Sequence, residues 1–157
     1  MARVPARPKV LLIDDNCFGS RARQAILRDL GYEVEVSESG AAGLERFQAC
    51  ADDAPFNVVV TDYRMPGMRG DEVVRRLREL APDVPVVILS GHVRTFALTA
   101  ESTGADVVLE KGPREQHDLA GTIWRLAPSD PPRKPLGHET ESGRAMRQAP
   151  RRRARGQ

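Results

Sequence analysis

The chain has 157 residues, 40% hydrophobic and 29% charged, with a formal net charge of +2. That length holds one ordinary domain with a real core and excludes two full ones. No apolar run is long enough for a membrane span or a secretory signal core, and two cysteines, Cys17 and Cys50, make no disulfide scaffold or metal spacing. A cytoplasmic location away from membranes is expected, with both thiols reduced and simply packed. The charge is uneven. Residues 128–157 hold eight basic residues against three acidic ones, a net of +5, leaving residues 1–127 with 16 and 19, a net of −3.

After a short N-terminal extension, residues 1–8, strand and helix patterns alternate. Strands are predicted at 9–14, 32–37, 56–62, 84–89 and 105–110. Residues 10–13, 58–60 and 86–89 are uniformly apolar, as in central parallel strands, whereas Tyr32-Glu33-Val34-Glu35-Val36 alternates like an edge strand. Ala22, Ala25, Ile26 and Leu30 give the first helix its apolar face, closed by Gly31. Leu44 and Phe47 mark the second helix, and Val73, Leu77 and Leu80 the third, with Pro82 beyond it. Phe96 and Ala100 mark the fourth, stopped near Gly104; Leu119, Ile123 and Leu126 mark the fifth, stopped by Pro128. Five βα units in a row predict a doubly wound, five-stranded parallel α/β sheet, (βα)5, over residues 9–127.

Residues 128–157 read differently. Pro128, Pro131, Pro132, Pro135 and Pro150 stand among many arginines with almost no large apolar side chain. Such a segment cannot bury enough surface to offset its ordering entropy, so a disordered basic tail is expected. Its Arg151-Arg152-Arg153-Ala154-Arg155 run is basic enough to touch nucleic acid, but the tail lacks aromatics and is too short for a helix-turn-helix core, so DNA binding is not expected.

The chemistry lies at the strand ends. Val10-Leu11-Leu12-Ile13 runs into Asp14-Asp15, and Val58-Val59-Val60-Thr61 into Asp62. Both strands deliver carboxylates to the carboxyl edge, where open α/β sheets place their sites. Three such acids repel one another unless a cation joins them, and Mg²⁺, a hard ion with oxygen ligands, suits the set. Two further strands bring Ser90-Gly91 and Lys111 to the same edge. A carboxylate nucleophile, a divalent ion, a lysine and a hydroxyl make a phosphoryl-transfer site: Asp62 attacks phosphorus, Lys111 neutralises phosphoryl oxygens and Ser90 hydrogen-bonds one of them, with room left by Gly91.

In order, Leu12-Ile13-Asp14-Asp15-Asn16, Thr61-Asp62-Tyr63-Arg64-Met65-Pro66-Gly67, Ile88-Leu89-Ser90-Gly91 and Lys111 resemble the receiver domain of two-component response regulators, a flavodoxin-like fold. The resemblance runs from about Lys9 to Leu126 and implies Asp62 as phosphoacceptor. It implies Mg²⁺ held by Asp15, Asp62 and the Arg64 main-chain carbonyl directly, and by Asp14 through water. Ser90 would be the switch hydroxyl and Lys111 the phosphate-contacting base. The phosphodonor would be a histidine kinase or a histidine phosphotransfer protein. The chain would be a stand-alone receiver, not an enzyme, signalling through protein–protein contacts after self-catalysed phosphorylation and dephosphorylation.

Three departures from the family pattern carry expectations. Val108 stands where the family places a Tyr or Phe switch ring. Gly112 follows Lys111 in place of proline, so a differently shaped turn into the last helix is expected. Arg64 and His92 occupy the two variable positions that tune the lifetime of the phosphoryl bond. A receiver-like scaffold that binds a partner without phosphorylation is one alternative. A haloacid-dehalogenase-like Mg²⁺ phosphatase is another, disfavoured because Arg64 stands where its second acid would be.

Overall fold

A computed structural model of the chain describes residues 7–128, so the N-terminal residues 1–6 and the basic segment 129–157 lie outside the described residues. Five strands, β1 (Lys9–Ile13), β2 (Glu33–Ser37), β3 (Val58–Asp62), β4 (Val86–Ser90) and β5 (Val107–Glu110), form one parallel sheet in the order β2-β1-β3-β4-β5. Helices α1 (Cys17–Asp29), α2 (Gly40–Cys50), α3 (Gly70–Leu80), α4 (Ala100–Thr103) and α5 (Glu115–Leu126) alternate with them. The uniformly apolar strands are the central ones, and the alternating segment is indeed the edge strand β2.

Alternation along each strand feeds two cores. Leu11, Ile13, Val59, Val86 and Ile88 point to α2 and α3, packing on Leu44, Phe47, Val73, Val74 and Leu77. Val10, Leu12, Val58, Val60, Val87 and Leu89 point the other way, to Leu27 of α1 and Leu119 and Ile123 of α5. Central strands covered on both faces carry no polar side, which is why they read as continuous apolar runs. No described helix is long and apolar enough to cross a membrane.

Four sequence expectations need correction. Of the two thiols expected to pack, only Cys50 is buried, and Cys17 is exposed at the start of α1. The inward face of α1 is Ser20, Arg23 and Leu27, while Ala22 and Ala25 are exposed. Carboxylates waiting inside draw a guanidinium to a position that apolar periodicity assigns elsewhere. The fourth helix is a single turn that does not include Phe96. Ala97 adopts φ +48°, and Thr99 and Ser102 form a capping box that starts α4 only at Ala100. Gly104, in the left-handed region at φ +77°, ends it. Leu80, expected in the core, is 45% exposed, and Val74 takes its place.

Candidate functional site

Register brings the strand ends together. Ile13 pairs with Thr61, Asp62 with Leu89 and Ser90 with Glu110, so Asp14, Asp62, Ser90 and Lys111 finish at one level of the carboxyl edge. β1 sits between β2 and β3, where the connections diverge to opposite faces, and that crevice is where a doubly wound sheet forms its site.

Carboxylate oxygens of Asp14, Asp15 and Asp62 lie within 4.8 Å of one another. Asp15 is exposed at the mouth, while Asp14 and Asp62 are 4% and 8% exposed. Asp62 Oδ2 is 3.0 Å from Lys111 Nζ. Burial raises the pKa of Asp62 above the ordinary aspartate value; Lys111 pulls against that shift and Asp14 adds to it. A cluster of hard carboxylate oxygens at this spacing fits a divalent cation of the magnesium type.

The loop after β3 is closed tightly. Tyr63 N–H donates to Leu89 O (3.0 Å) and Gly70 N–H to Tyr63 O (2.8 Å). Gly70 lies so close to β3 that a Cβ there would stand 2.6 Å from the Asp62 carbonyl oxygen. That approach sets where α3 begins and fixes the backbone of Asp62.

Ser90 is fully buried, and its Oγ accepts from His92 N–H at 3.0 Å. Lys111 N–H donates to Ser90 O (2.9 Å), tying the two strand ends. Gly91 is exposed, with open space where a side chain would be. Arg64 and His92, both exposed, approach to 3.5 Å between Nη1 and Nε2. Phe96 closes this group: its ring centroid is 6.0 Å from Tyr63 and 5.7 Å from His92, with the Arg64 guanidinium over it at 5.9 Å. Val108, expected to stand at an altered switch position, is half-buried and packs on the α2–α3 core. After Lys111 the chain turns through Gly112, whose carbonyl accepts from Glu115 N–H (3.1 Å), and Arg114 caps α5 without a side-chain bond.

One element of the site was not anticipated. Arg23, 7% exposed, donates from Nη1 to Asp14 Oδ2 (2.5 Å) and from Nε to Glu115 Oε1. Burial pulls the Arg23 pKa down, but the Glu115 and Asp14 carboxylates outweigh it and raise it, so the guanidinium stays charged. The available signal was the spacing Ser20, Arg23, Leu27, one helical stripe with a charge at its centre. Asn16, in contrast, does what its residue type suggests, accepting from Phe18 and Gly19 N–H as the α1 N-cap.

The model of the response regulator receiver domain family matches residues 10–122. Among relatives, the chain is 32% identical to the response regulator receiver protein CpdR of Brucella abortus over 118 residues, covering 75% of this chain and 95% of CpdR. It is 37% identical to a response regulator receiver protein of Anaeromyxobacter sp. over 92 residues, 59% of this chain but only 37% of that longer protein. Among solved structures, the Vibrio cholerae chemotaxis protein CheY4 superposes with a TM-score of 0.67 at 29% identity, covering 76% of this chain and 98% of that one. TrrA from Thermotoga maritima, in complex with Mg²⁺-BeF, gives a TM-score of 0.65 at 25% identity, covering 76% and 98%.

Proposed function

Because the chain belongs to the response regulator receiver domain family, we propose that Asp62 accepts a phosphoryl group from a histidine kinase or histidine phosphotransfer protein. Receiver domains are the phosphoacceptors of two-component signalling and are not generally classed as enzymes. The observation that carries the reading is Asp62 at the end of β3, 3.0 Å from Lys111 and inside the Asp14–Asp15–Asp62 cluster.

Asp15, Asp62 and the Arg64 main-chain carbonyl would hold Mg²⁺ directly, and Asp14 through water. When bound, the ion supplies charge neutralisation to the acids and to the phosphoryl oxygens. An Asp62 carboxylate oxygen attacks phosphorus, and the bond from phosphorus to the donor breaks. Lys111 releases its pairing with Asp62 and follows the new charge. Ser90 turns its hydroxyl toward a phosphoryl oxygen, giving up His92 N–H, and Gly91 leaves space for the group. The acyl phosphate carries nearly two negative charges where the carboxylate carried one. This added charge and its acceptor oxygens at one strand end then bias the 91–98 segment, which becomes the surface that a partner reads. With Val108 unable to act as a switch ring, Phe96 is the aromatic that reports the change. Arg64 and His92 limit the approach of water, and His92→Ala leaving the acyl-phosphate half-life unaltered would remove that role.

Incubation with acetyl phosphate and Mg²⁺, followed by intact-mass measurement, tests the central claim. One phosphoryl group is expected on the wild type and none on Asp62→Asn. No gain on the folded wild type would favour the scaffold reading, and multiple turnover of phosphomonoesters the phosphatase one.

A further inference from the structure

Arg23 is a buried charge that the proposed phosphotransfer does not use. It sits in the centre of the inward stripe of α1, between the small Ser20 and the apolar Leu27. Room for it is provided by Gly19, where a Cβ would stand 3.0 Å from the guanidinium. Arg23, Asp14, Ser20 and Asp62 line one small cavity. The guanidinium therefore reaches the acidic pocket from behind, while the opening lies at exposed Asp15.

The charges of the pocket then pair unevenly. Lys111 takes Asp62 and Arg23 takes Asp14, so of the three pocket acids Asp15 alone forms no ion pair with a described residue. A divalent cation entering this pocket meets three carboxylates already offset by two resident cations. Asp14 also has both oxygens engaged, Oδ1 by Asn16 N–H (2.9 Å) and Oδ2 by Arg23 (2.5 Å). Lys111 is a quarter exposed and can swing away into water, but Arg23 is enclosed and cannot. Its available alternative is the partner it already holds, Glu115 at the first turn of α5.

We propose that Arg23 is a resident counter-ion of the acidic pocket: it restrains Asp14, lowers the affinity for Mg²⁺, and shifts toward Glu115 when the metal enters, so that the site is coupled to α5. The proposal rests on the reading that this pocket takes Mg²⁺. Arg23 is a positioning residue, acting on the metal through Asp14. Loss of the guanidinium removes a repulsive charge from behind the site, whereas loss of the Glu115 charge commits the guanidinium to Asp14. The two substitutions therefore push metal affinity in opposite directions.

The experiment is calorimetric titration of Mg²⁺ into the EDTA-treated full chain, with thermal unfolding in EDTA as companion. Arg23→Met should bind Mg²⁺ about tenfold tighter, the scale of one unit charge removed at short range. Its Tm in EDTA should fall, because Asp14 and Glu115 lose their partner, and saturating Mg²⁺ should recover more of that loss than the wild type gains. Glu115→Gln should bind a few-fold weaker, and it carries the test if Arg23→Met does not fold without metal. A lower Tm with an unchanged or weaker Mg²⁺ affinity in Arg23→Met, or tighter binding in Glu115→Gln, would overturn the proposal. Absence of Mg²⁺ uptake by the folded wild type would instead bring down the metal reading, and the proposal with it.

Discussion

Asp62 has competing electrostatic partners. Burial and Asp14 favour its neutral form and Lys111 its charged form; the net shift is upward. A carboxyl whose folded pKa exceeds its unfolded one contributes most stability below the unfolded value and loses that contribution as pH rises through the folded one. At pH 7 the ionised Asp62 therefore costs the metal-free fold stability. Asp62→Asn is expected to raise the Tm in EDTA by a few degrees, as for a change on the order of 1 kcal/mol in a domain of this size. The advantage should vanish as pH falls toward the ordinary aspartate range and reverse in saturating Mg²⁺, which only the carboxylate can ligate well. Thermal melts of both proteins at pH 4.5 and 7, with EDTA or Mg²⁺, check each limb. Asp14, Asp15, Asp62, Ser90 and Lys111 were legible as a set because parallel strands aligned in register bring their carboxyl ends to one edge. Arg23 was not, because a charge on a helix reads as solvated until the carboxylates facing it are known.

Among the elements, strands were easier to read than helices. A buried strand is an apolar run, and β1, β3 and β4 begin and end within two residues of where those runs do. Helix phase was harder: α1 presents Arg23 inward, and α4 shrinks to one turn because capping by Thr99 and the backbone at Ala97 override an apolar pair at Phe96 and Ala100. The start of α3 shows how an element fixes the site. Gly70 packs directly on the carbonyl of Asp62, and a methyl there meets backbone, 2.6 Å from the Asp62 oxygen and 2.9 Å from Tyr63 Cα. Backbone cannot yield as a flexible side chain can, so α3 and the end of β3 must separate. Gly70→Ala is expected to cost about 1–3 kcal/mol, within the range for overpacking. If Asp62 accepts the phosphoryl group as proposed, the variant should also take it up more slowly from acetyl phosphate, because that carboxylate is displaced. Urea unfolding with unchanged stability would show that the contact yields more easily than its geometry implies.

Across the molecule, one hydrogen bond ties the end of the last helix to the edge of the sheet. Tyr32, immediately before β2, donates its hydroxyl to Ala127 O, just past α5, at 2.7 Å across 95 residues of chain. The sequence marked Tyr32 only as the start of an edge strand, since nothing local tells which distant carbonyl will meet a buried phenol. Burial pushes its pKa up to about 12, from the ordinary 10.0. Ionisation of the phenol is thus opposed by the fold, and it would also remove the donor that holds Ala127. For an acid whose pKa is raised on folding, the contribution to stability is complete below about pH 10 and lost between about 10 and 12. Tyr32→Phe lacks this titration. It should lose about 1 kcal/mol at pH 7, where the hydrogen bond is missing and a buried carbonyl is left unpaired. The stability difference between wild type and variant should then narrow as pH rises from 10 toward 12, whatever the other tyrosine and the lysines add to both. Urea unfolding at pH 7, 10 and 11.5 measures it, and a difference independent of pH would mean that the Tyr32 hydroxyl is reached by water in the folded protein.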